Sequence, residues 1–500
     1  MLAALLSASL LPAAALVAAS PSVQPRPRSV VTRGEGFLHA TVHAVSGLPS
    51  LRRRAVQDED VINVRSGTSY VIDIEIGTPG QTVTLILDTG SPDLWVNPSC
   101  ATANIPAECN KWPQFDYTKS TSLKESDFVD ILRYGKGNAT IVYVTDTVTI
   151  GSAKITNQIF GVNVESYDIP MGILGLSPAI QANAADNYPF VLDTLAAQGV
   201  IKSRAFSLDL RSVSSPSGAI IFGGIDTSKF SGTLARLPML SPSQTPKGAD
   251  RYWITLTGIG LTFPDGTSDT SGAISVPVFP DSGGTLSRLP TPIFQAFGES
   301  FPTAQFDPES GFYIVDCAVA DVAGSVDFYF GTKQIAVPYA DFIWQPSKGD
   351  CVLGVQPDDE EPVLGDSFLR AAYVVHDQDN RALHIAQAAE CGAKQNVVTI
   401  GSGKGAVPSV TGGCAEGARA TRTGAGLDAT ATREPGNIFT GDGPRISGLG
   451  PGPAGGRTPT SGALGPSGKA NSGAGRLGTG SGWAVLGAAV GVVLGGLLLV

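Results

Sequence analysis

Apolar and polar residues alternate from Tyr70 onward. The stretch YVIDIEIGTPGQTVTLILDTG carries V-I-D-I-E-I, a GTPGQ turn and then T-L-I-L. Two period-two runs joined by Gly and Pro predict a β-hairpin. Runs of the same kind, AIIFGGID, RYWITLTGIGLTF and AAYVVHDQDNRALHIAQ, recur with turn residues between them. The middle of the chain therefore reads as mostly β.

The pattern breaks at both ends. MLAALLSASLLPAAALVAAS is a short apolar run closing on small residues, so residues 1–19 read as a cleaved secretory signal, although no Lys or Arg precedes the run. Beyond 397 the texture turns to Gly, Ser, Thr, Ala and Pro with scattered Arg. Such a segment buries too little surface to offset its ordering entropy, so 398–481 are expected to form a disordered stalk. Residues 482–500 are apolar and uncharged and stop without the basic flank that a membrane-spanning anchor carries. Small residues Asn471, Ser472 and Gly473, a polar spacer and this tail fit a glycolipid (GPI) attachment signal, with Asn471 as the attachment residue and its two neighbours as competitors.

Charge divides the remainder. Of a net charge of −10, residues 21–54 hold six Arg and one Glu, and residues 398–500 hold eight Lys or Arg against four acids, leaving −19 on residues 55–397. A field of that sign excludes nucleic acid as a partner and suits work at low pH, where protonation relieves self-repulsion. Residues 20–54 end in the cluster Arg52–Arg54, a site for proprotein convertases, and form a basic prosegment complementary to the acidic body, which would act as its inhibitor. Six cysteines in an exported chain point to disulfides rather than metal, and no metal or cofactor motif occurs. Local spacing favours Cys100 with Cys109 and Cys317 with Cys351. Cys391 and Cys414 remain, and the sequence does not decide their pairing.

The chemistry rests on FPDSGGT, Phe279 to Thr285. Read as D-S-G-G, it would make Ser282 a nucleophile, which needs a His to take its proton. The four histidines are His39, His43, His376 and His384. Once the prosegment is gone none precedes Ser282, and no G-x-S-x-G elbow substitutes. Read as D-S-G, the reactive group is Asp281, and a second carboxylate must exist elsewhere. LILDTGSPDLWV supplies it, with Asp88 closing an apolar strand and followed by Thr89, Gly90 and Ser91, as Asp281 is followed by Ser282 and Gly283. Two carboxylates a few ångströms apart share one proton, so one draws a proton from water while the other donates to the scissile carbonyl.

With these paired motifs, residues 69 to about 397 resemble a pepsin-family aspartic protease, and the whole chain is similar to its GPI-anchored fungal branch, the yapsins. The resemblance implies a mostly β, bilobal fold, with an N-terminal lobe over 55–233, a C-terminal lobe over 234–397 and a cleft between them. In RYGKG, Tyr134 would be the flap tyrosine, its hydroxyl bonded to the indole of Trp95. Gly90, Gly283 and Thr285 would bind substrate backbone, and Gly135 and Lys136 would close over it. MGILGLSP and PVLGDSFLR would support the two active loops, and the first two cysteine pairs suit the family's bridges. Gly284 stands where the family has Ser or Thr, and Pro92 where it has Ser. A hydroxyl beside Asp281 is thereby missing.

Two readings stay open. The sequon at Asn138 beside the flap is a glycosylation site if the glycan points outward. The acidic run Asp358–Glu361 is either a solvated loop or, following the yapsin resemblance, a subsite for Lys or Arg. The function expected is a monomeric, secreted, GPI-anchored endopeptidase at the plasma membrane's outer face or the cell wall, acting on protein or peptide substrates at acid pH. The alternatives are a catalytically impaired binding module of the same fold, in which Gly284 marks decay of the site, and a cell-surface structural protein, which would account for the stalk but not for the paired motifs.

Overall fold

The computed structural model describes residues 31–46 and 68–415, apart from 98, 136, 180–187, 213, 214, 216, 265, 302 and 348. The signal sequence, the Arg52–Arg54 cluster, Lys136, Asn471 and the apolar tail lie outside the described residues. So does all of the stalk beyond 415. The fold is mostly β, as expected. Its largest sheet has 14 strands, and sheets of five, four, four and two strands accompany it.

The predicted hairpin pairs Thr68–Ile76 with Gln81–Asp88 in antiparallel register, Ile74 opposite Val83. Both strands are buried on alternate positions or more, which follows from their apolar spacing. Asp88 closes the second strand. Strand Ile173–Gly175, from MGILGLSP, then runs parallel to Ile86–Asp88, while Leu94–Val96 pairs antiparallel to its other edge. The second half repeats the device. Strand Val276–Pro280 delivers Asp281, Val363–Leu364 from PVLGDSFLR runs parallel to it, and Ser287–Leu289 pairs antiparallel with Val363–Leu364. Each Asp therefore sits at the end of an apolar strand whose loop is held from behind by a hydrophobic-Gly segment.

The fold differs from the expected boundaries at both ends. Part of the segment read as a basic cover, Phe37–Ser46, is an interior strand paired on one side with Ser217–Phe222 and on the other with Thr68–Val71. Its own sequence explains this: in FLHATVHAV, Leu38, Ala40 and Val42 alternate with polar residues and are fully buried. At the other end the fold does not stop at 397. Val397–Thr399 pairs with Gly224–Asp226, Ile400 is buried, and Cys414 is bonded to Cys391. Backbone pairing and a disulfide hold a segment whose composition alone reads as unstructured. All six cysteines are paired, Cys100–Cys109, Cys317–Cys351 and Cys391–Cys414.

Candidate active site

The turns after the two strands bring Asp88 and Asp281 together. Gly90 N–H donates to Asp88 Oδ1 at 2.7 Å, and Gly283 N–H donates to Asp281 Oδ1 at 2.8 Å. Each glycine also abuts the carboxyl of the other lobe. A Cβ on Gly90 would lie 2.7 Å from the Asp281 carboxyl atoms. A Cβ on Gly283 would lie 2.9 Å from Asp88 Oδ1 and 3.1 Å from Asp281 Oδ1, so both carboxyls press against the same glycine. Any side chain at either position would drive the carboxylates apart, which is why Gly follows each Asp by two.

The hydroxyls between them form a crossed clasp. Thr89 N–H donates to Ser282 Oγ at 3.1 Å, and Ser282 N–H donates to Thr89 Oγ1 at 3.0 Å. Thr89 Oγ1 donates to Pro280 O at 3.0 Å, and Ser282 Oγ donates to Leu87 O at 2.7 Å. Both side chains are buried. Ser282, the would-be nucleophile, thus spends its proton on a backbone carbonyl. No histidine is among its hydrogen-bond partners.

The two carboxylates are not equivalent. Ser91 Oγ donates to Asp88 Oδ2, but Gly284 offers no such group to Asp281. Burial, followed by the charge of Asp281, pushes the Asp88 pKa up to about 8, against the pull of the Ser91 and Gly90 bonds. Asp88 is only 6% exposed. The pairing therefore favours a proton on Asp88 at neutral pH.

The flap hairpin consists of Lys124–Arg133 and Asn138–Ile150. Tyr134 N–H donates to Gly137 O at 3.0 Å across the tip, and Trp95 Nε1 donates to the Tyr134 hydroxyl at 2.7 Å. Gly137, at φ +100°, permits the reversal. Asn138 opens the returning strand, half-buried, opposite Arg133 and Tyr167. A cleft of ≈250 Å³ runs beneath the flap. Ile86, Tyr134 and Met171 line it from one lobe, Leu286, Arg288 and Gln356 from the other, with both aspartates on its floor. Gly135, Gly283 and Thr285 also border this cleft, but the Thr285 hydroxyl is already engaged, accepting from Thr68 N–H at 3.1 Å and donating to Thr68 O at 3.2 Å.

Sequence reading missed what stands behind Asp281. Asp366 N–H donates to Gly284 O at 2.8 Å, and the Asp366 carboxylate pairs with Arg370 Nη2 at 3.4 Å. Arg370 Nε reaches the Tyr70 hydroxyl at 3.2 Å, and its Nη2 reaches Thr68 Oγ1 at 3.3 Å. Burial holds the Asp366 carboxyl well above the ordinary range, despite Arg370 and with help from the Asp281 charge. The i, i+4 spacing of Asp and Arg in DSFLR was the available signal. The acidic run Asp358–Glu361 is largely engaged by neighbouring residues. Asp358 pairs with Arg288 at 3.1 Å, Asp359 accepts from Thr291 N–H at 2.8 Å, and Glu360 pairs with Lys247 at 2.6 Å.

Two opposed carboxylates at duplicated strand ends, under a flap and between two β lobes, define the class of the aspartic-type endopeptidases. Residues 69–388 match the family described as Eukaryotic aspartyl protease, and the chain belongs to that family. It is 36% identical over 361 residues to an acid protease of Saccharomycopsis fibuligera, covering 69% of this chain and 88% of that one. It is 33% identical over 383 residues to aspartic proteinase yapsin-3 of Saccharomyces cerevisiae, covering 72% and 73% respectively. To a probable aspartic-type endopeptidase OPSB of Arthroderma benhamiae it is 33% identical over 369 residues, covering 69% and 73%. Among solved structures, the aspartic proteinase from Irpex lacteus shares the fold with a TM-score of 0.54 at 22% identity, covering 72% of this chain and all of that one. The expected pepsin-like fold and the yapsin-like kinship are borne out, and the protein is a peptide-bond hydrolase.

Proposed function

We propose that Asp88 and Asp281 are the catalytic pair and that they hydrolyse peptide bonds by activating a water, with no covalent intermediate. The observation that supports this most directly is that both carboxyls close on the same glycine, since a Cβ on Gly283 would meet Asp88 Oδ1 at 2.9 Å and Asp281 Oδ1 at 3.1 Å, which sets the two groups opposite each other. A water held between the two carboxyls gives its proton to the ionised member of the pair and attacks the scissile carbonyl carbon. The protonated member donates to the carbonyl oxygen, forming a tetrahedral diol. The C–N bond then breaks as the pair gives its proton to the departing amine and takes one back from a diol hydroxyl, whose oxygen becomes the carbonyl of the new carboxyl group, so the dyad ends with its single proton. That proton belongs to the pair, and the burial of Asp88 favours Asp88 as its resting place. Thr89, Ser91 and Ser282 hold the carboxylates. Gly90 and Gly283 let them meet, Tyr134 bonded to Trp95 closes the cleft with Gly135 and Lys136, and Thr285 fixes the edge of the C-terminal loop.

The protein is secreted, processed at Arg52–Arg54 and tethered outside the cell through a glycolipid at Asn471, with Asn138 as a glycan site. The apolar leader, the basic cluster, the sequon and the C-terminal signal in the sequence support this reading, as does the kinship with yapsin-3. Full-length protein from a secreting host should cut denatured protein between about pH 3 and 6. It should be inhibited by pepstatin and lose the activity in Asp281→Asn. A phosphatidylinositol-specific phospholipase should release it from cells. An Asp281→Asn enzyme that keeps its rate would refute the dyad, and enzyme that stays cell-bound after lipase treatment would refute the anchor.

A further inference from the structure

Among the described residues lining the cleft, Arg288 is the one cation. Its backbone is fixed on both edges, opposite Gln356 in one strand and Val363 in another. Its guanidinium is aimed as well. Nη1 lies 3.1 Å from Asp358 Oδ2, and Asp358 is itself clamped by the backbone N–H groups of Glu360 and Glu361, both at 2.9 Å. The same Nη1 lies 3.7 Å from where a Cβ of Gly135 would stand, so the arginine reaches from the C-terminal lobe to the flap tip. A guanidinium carries five donors in a rigid fork, and the bond to Asp358 uses one of them. The rest are available to a chain threaded beneath the flap. Asp168, the carboxylate that borders this cleft besides the dyad, already accepts from Asn104 Nδ2 at 2.8 Å.

We propose that Arg288 determines specificity. It recognises a substrate side chain bearing a carboxylate at the position that passes under the flap tip, and it disfavours Lys or Arg there. This rests on the cleft's being the peptide-binding site of the catalytic pair. It opposes the basic preference considered for the acidic run, whose first three carboxylates are engaged by Arg288, Thr291 and Lys247.

The test uses the full-length enzyme and peptides that differ only in Glu, Gln or Lys at each position flanking one scissile bond, at about pH 5.5, where a Glu side chain is mostly ionised. Wild type should cleave the Glu peptide about fivefold faster than the Lys peptide at one position, the size expected of a partly exposed ion pair. Arg288→Met should level that ratio and Arg288→Glu should invert it. Reading the ratio within each protein cancels any general loss of rate. Asp358→Asn, which frees the guanidinium, should raise the Glu preference, so the idea stays testable if the Arg288 variants fold badly. A Glu-to-Lys ratio that is the same in wild type, Arg288→Glu and Asp358→Asn overturns the proposal while leaving the catalytic pair intact. A wild type that cuts none of the peptides and does not bind pepstatin overturns the catalytic reading, and this one with it.

Discussion

Thr89 and Ser282 grip each other across the boundary between the lobes, each backbone N–H donating to the other's hydroxyl at 3.1 and 3.0 Å. Each hydroxyl passes its own proton to a carbonyl in the opposite lobe, Pro280 O and Leu87 O. The clasp fixes the separation of the two loops that carry the carboxylates. Ser282→Ala removes one acceptor and one donor from a buried ring and strands Thr89 N–H and Leu87 O, at a cost of about 1–3 kcal/mol. Denaturant melts should register that loss, and kcat should fall more than KM rises. Thr89→Ser, which keeps the hydroxyl, should retain most of both. A Ser282→Ala enzyme with wild-type kcat would show that the loops are positioned by something else.

Gly90 tests the carboxylate approach directly. A methyl group there would lie 2.7 Å from three atoms of the Asp281 carboxyl, closer than real Cβ atoms come, so Gly90→Ala must displace Asp281. Misplacing a reacting group by about 1 Å costs on the order of 100-fold in rate. Gly90→Ala should therefore lose about that factor in kcat with unchanged circular dichroism. A near-normal rate would mean that the gap between the carboxylates is wider than described here.

The paired aspartates were legible because the motif occurs twice and each copy follows an apolar strand, a coincidence that no single Asp-Thr-Gly provides. The hairpin and the first two disulfides were legible for a similarly local reason. Phe37–Ser46 was not, since the arginines on either side of it outweighed its period-two alternation. Residues 398–414 were missed because their order comes from pairing with Gly224–Asp226 and from Cys414, neither of which leaves a trace in composition. Asp366 offered only its i, i+4 spacing to Arg370, and Arg288 carries no sequence signal of a role. A lone Arg in a strand gains one only when the fold sets it between Asp358 and the flap.

The raised pKa of Asp88 has a consequence for stability. Its folded-state value, about 8, exceeds the ordinary 3.8, so the protonated form is favoured on folding. The resulting stability is fully present below about pH 4 and is lost as pH rises through 8. Asp209, pushed up to about 6 by burial despite Arg211, acts in the same sense over the lower part of that window. The melting temperature of wild type relative to that of Asp88→Asn, which cannot ionise, should fall between pH 4 and 8. Parallel curves for the two proteins would contradict the assignment.

His376 works in the opposite direction. It is fully buried, stacked on the Phe206 ring at 4.4 Å with Tyr252 edge-on at 4.5 Å, and neither ring nitrogen has a hydrogen-bond partner. Burial lowers its pKa to about 3 from the usual 6.5. The neutral ring is favoured on folding, so this contribution is present above pH 6.5 and lost as pH falls toward 3, by about 5 kcal/mol in all. In the acid range proposed for the enzyme that is a liability. His376→Phe, which keeps an aromatic plane between Phe206 and Tyr252, should lose less stability between pH 6.5 and 3.5 than wild type, whatever its offset at pH 7. An equal or steeper loss in the variant would assign the acid limit to other groups.

Gly284 is the departure that can be repaired. A Cβ there would meet nothing closer than 3.7 Å and would stand 3.8 Å from Asp281 Oδ2. One further bond brings a hydroxyl within hydrogen-bond reach of that oxygen. Its φ is not positive, so a side chain adds no backbone strain. Gly284→Ser would supply Asp281 with the counterpart of the Ser91 bond to Asp88. A donor to a carboxylate favours its charged form, so the ionised state of the pair should persist to lower pH. The acid limb of the kcat/KM profile should then move down by up to about one pH unit, and the alkaline limb, set by loss of the shared proton, should move less. Gly284→Ala fills the same space without donating, and it should leave the acid limb where the wild type has it. If the Ala variant shifts the limb as far as the Ser variant does, the effect is one of packing, and the missing hydroxyl is not what sets the working pH of the pair.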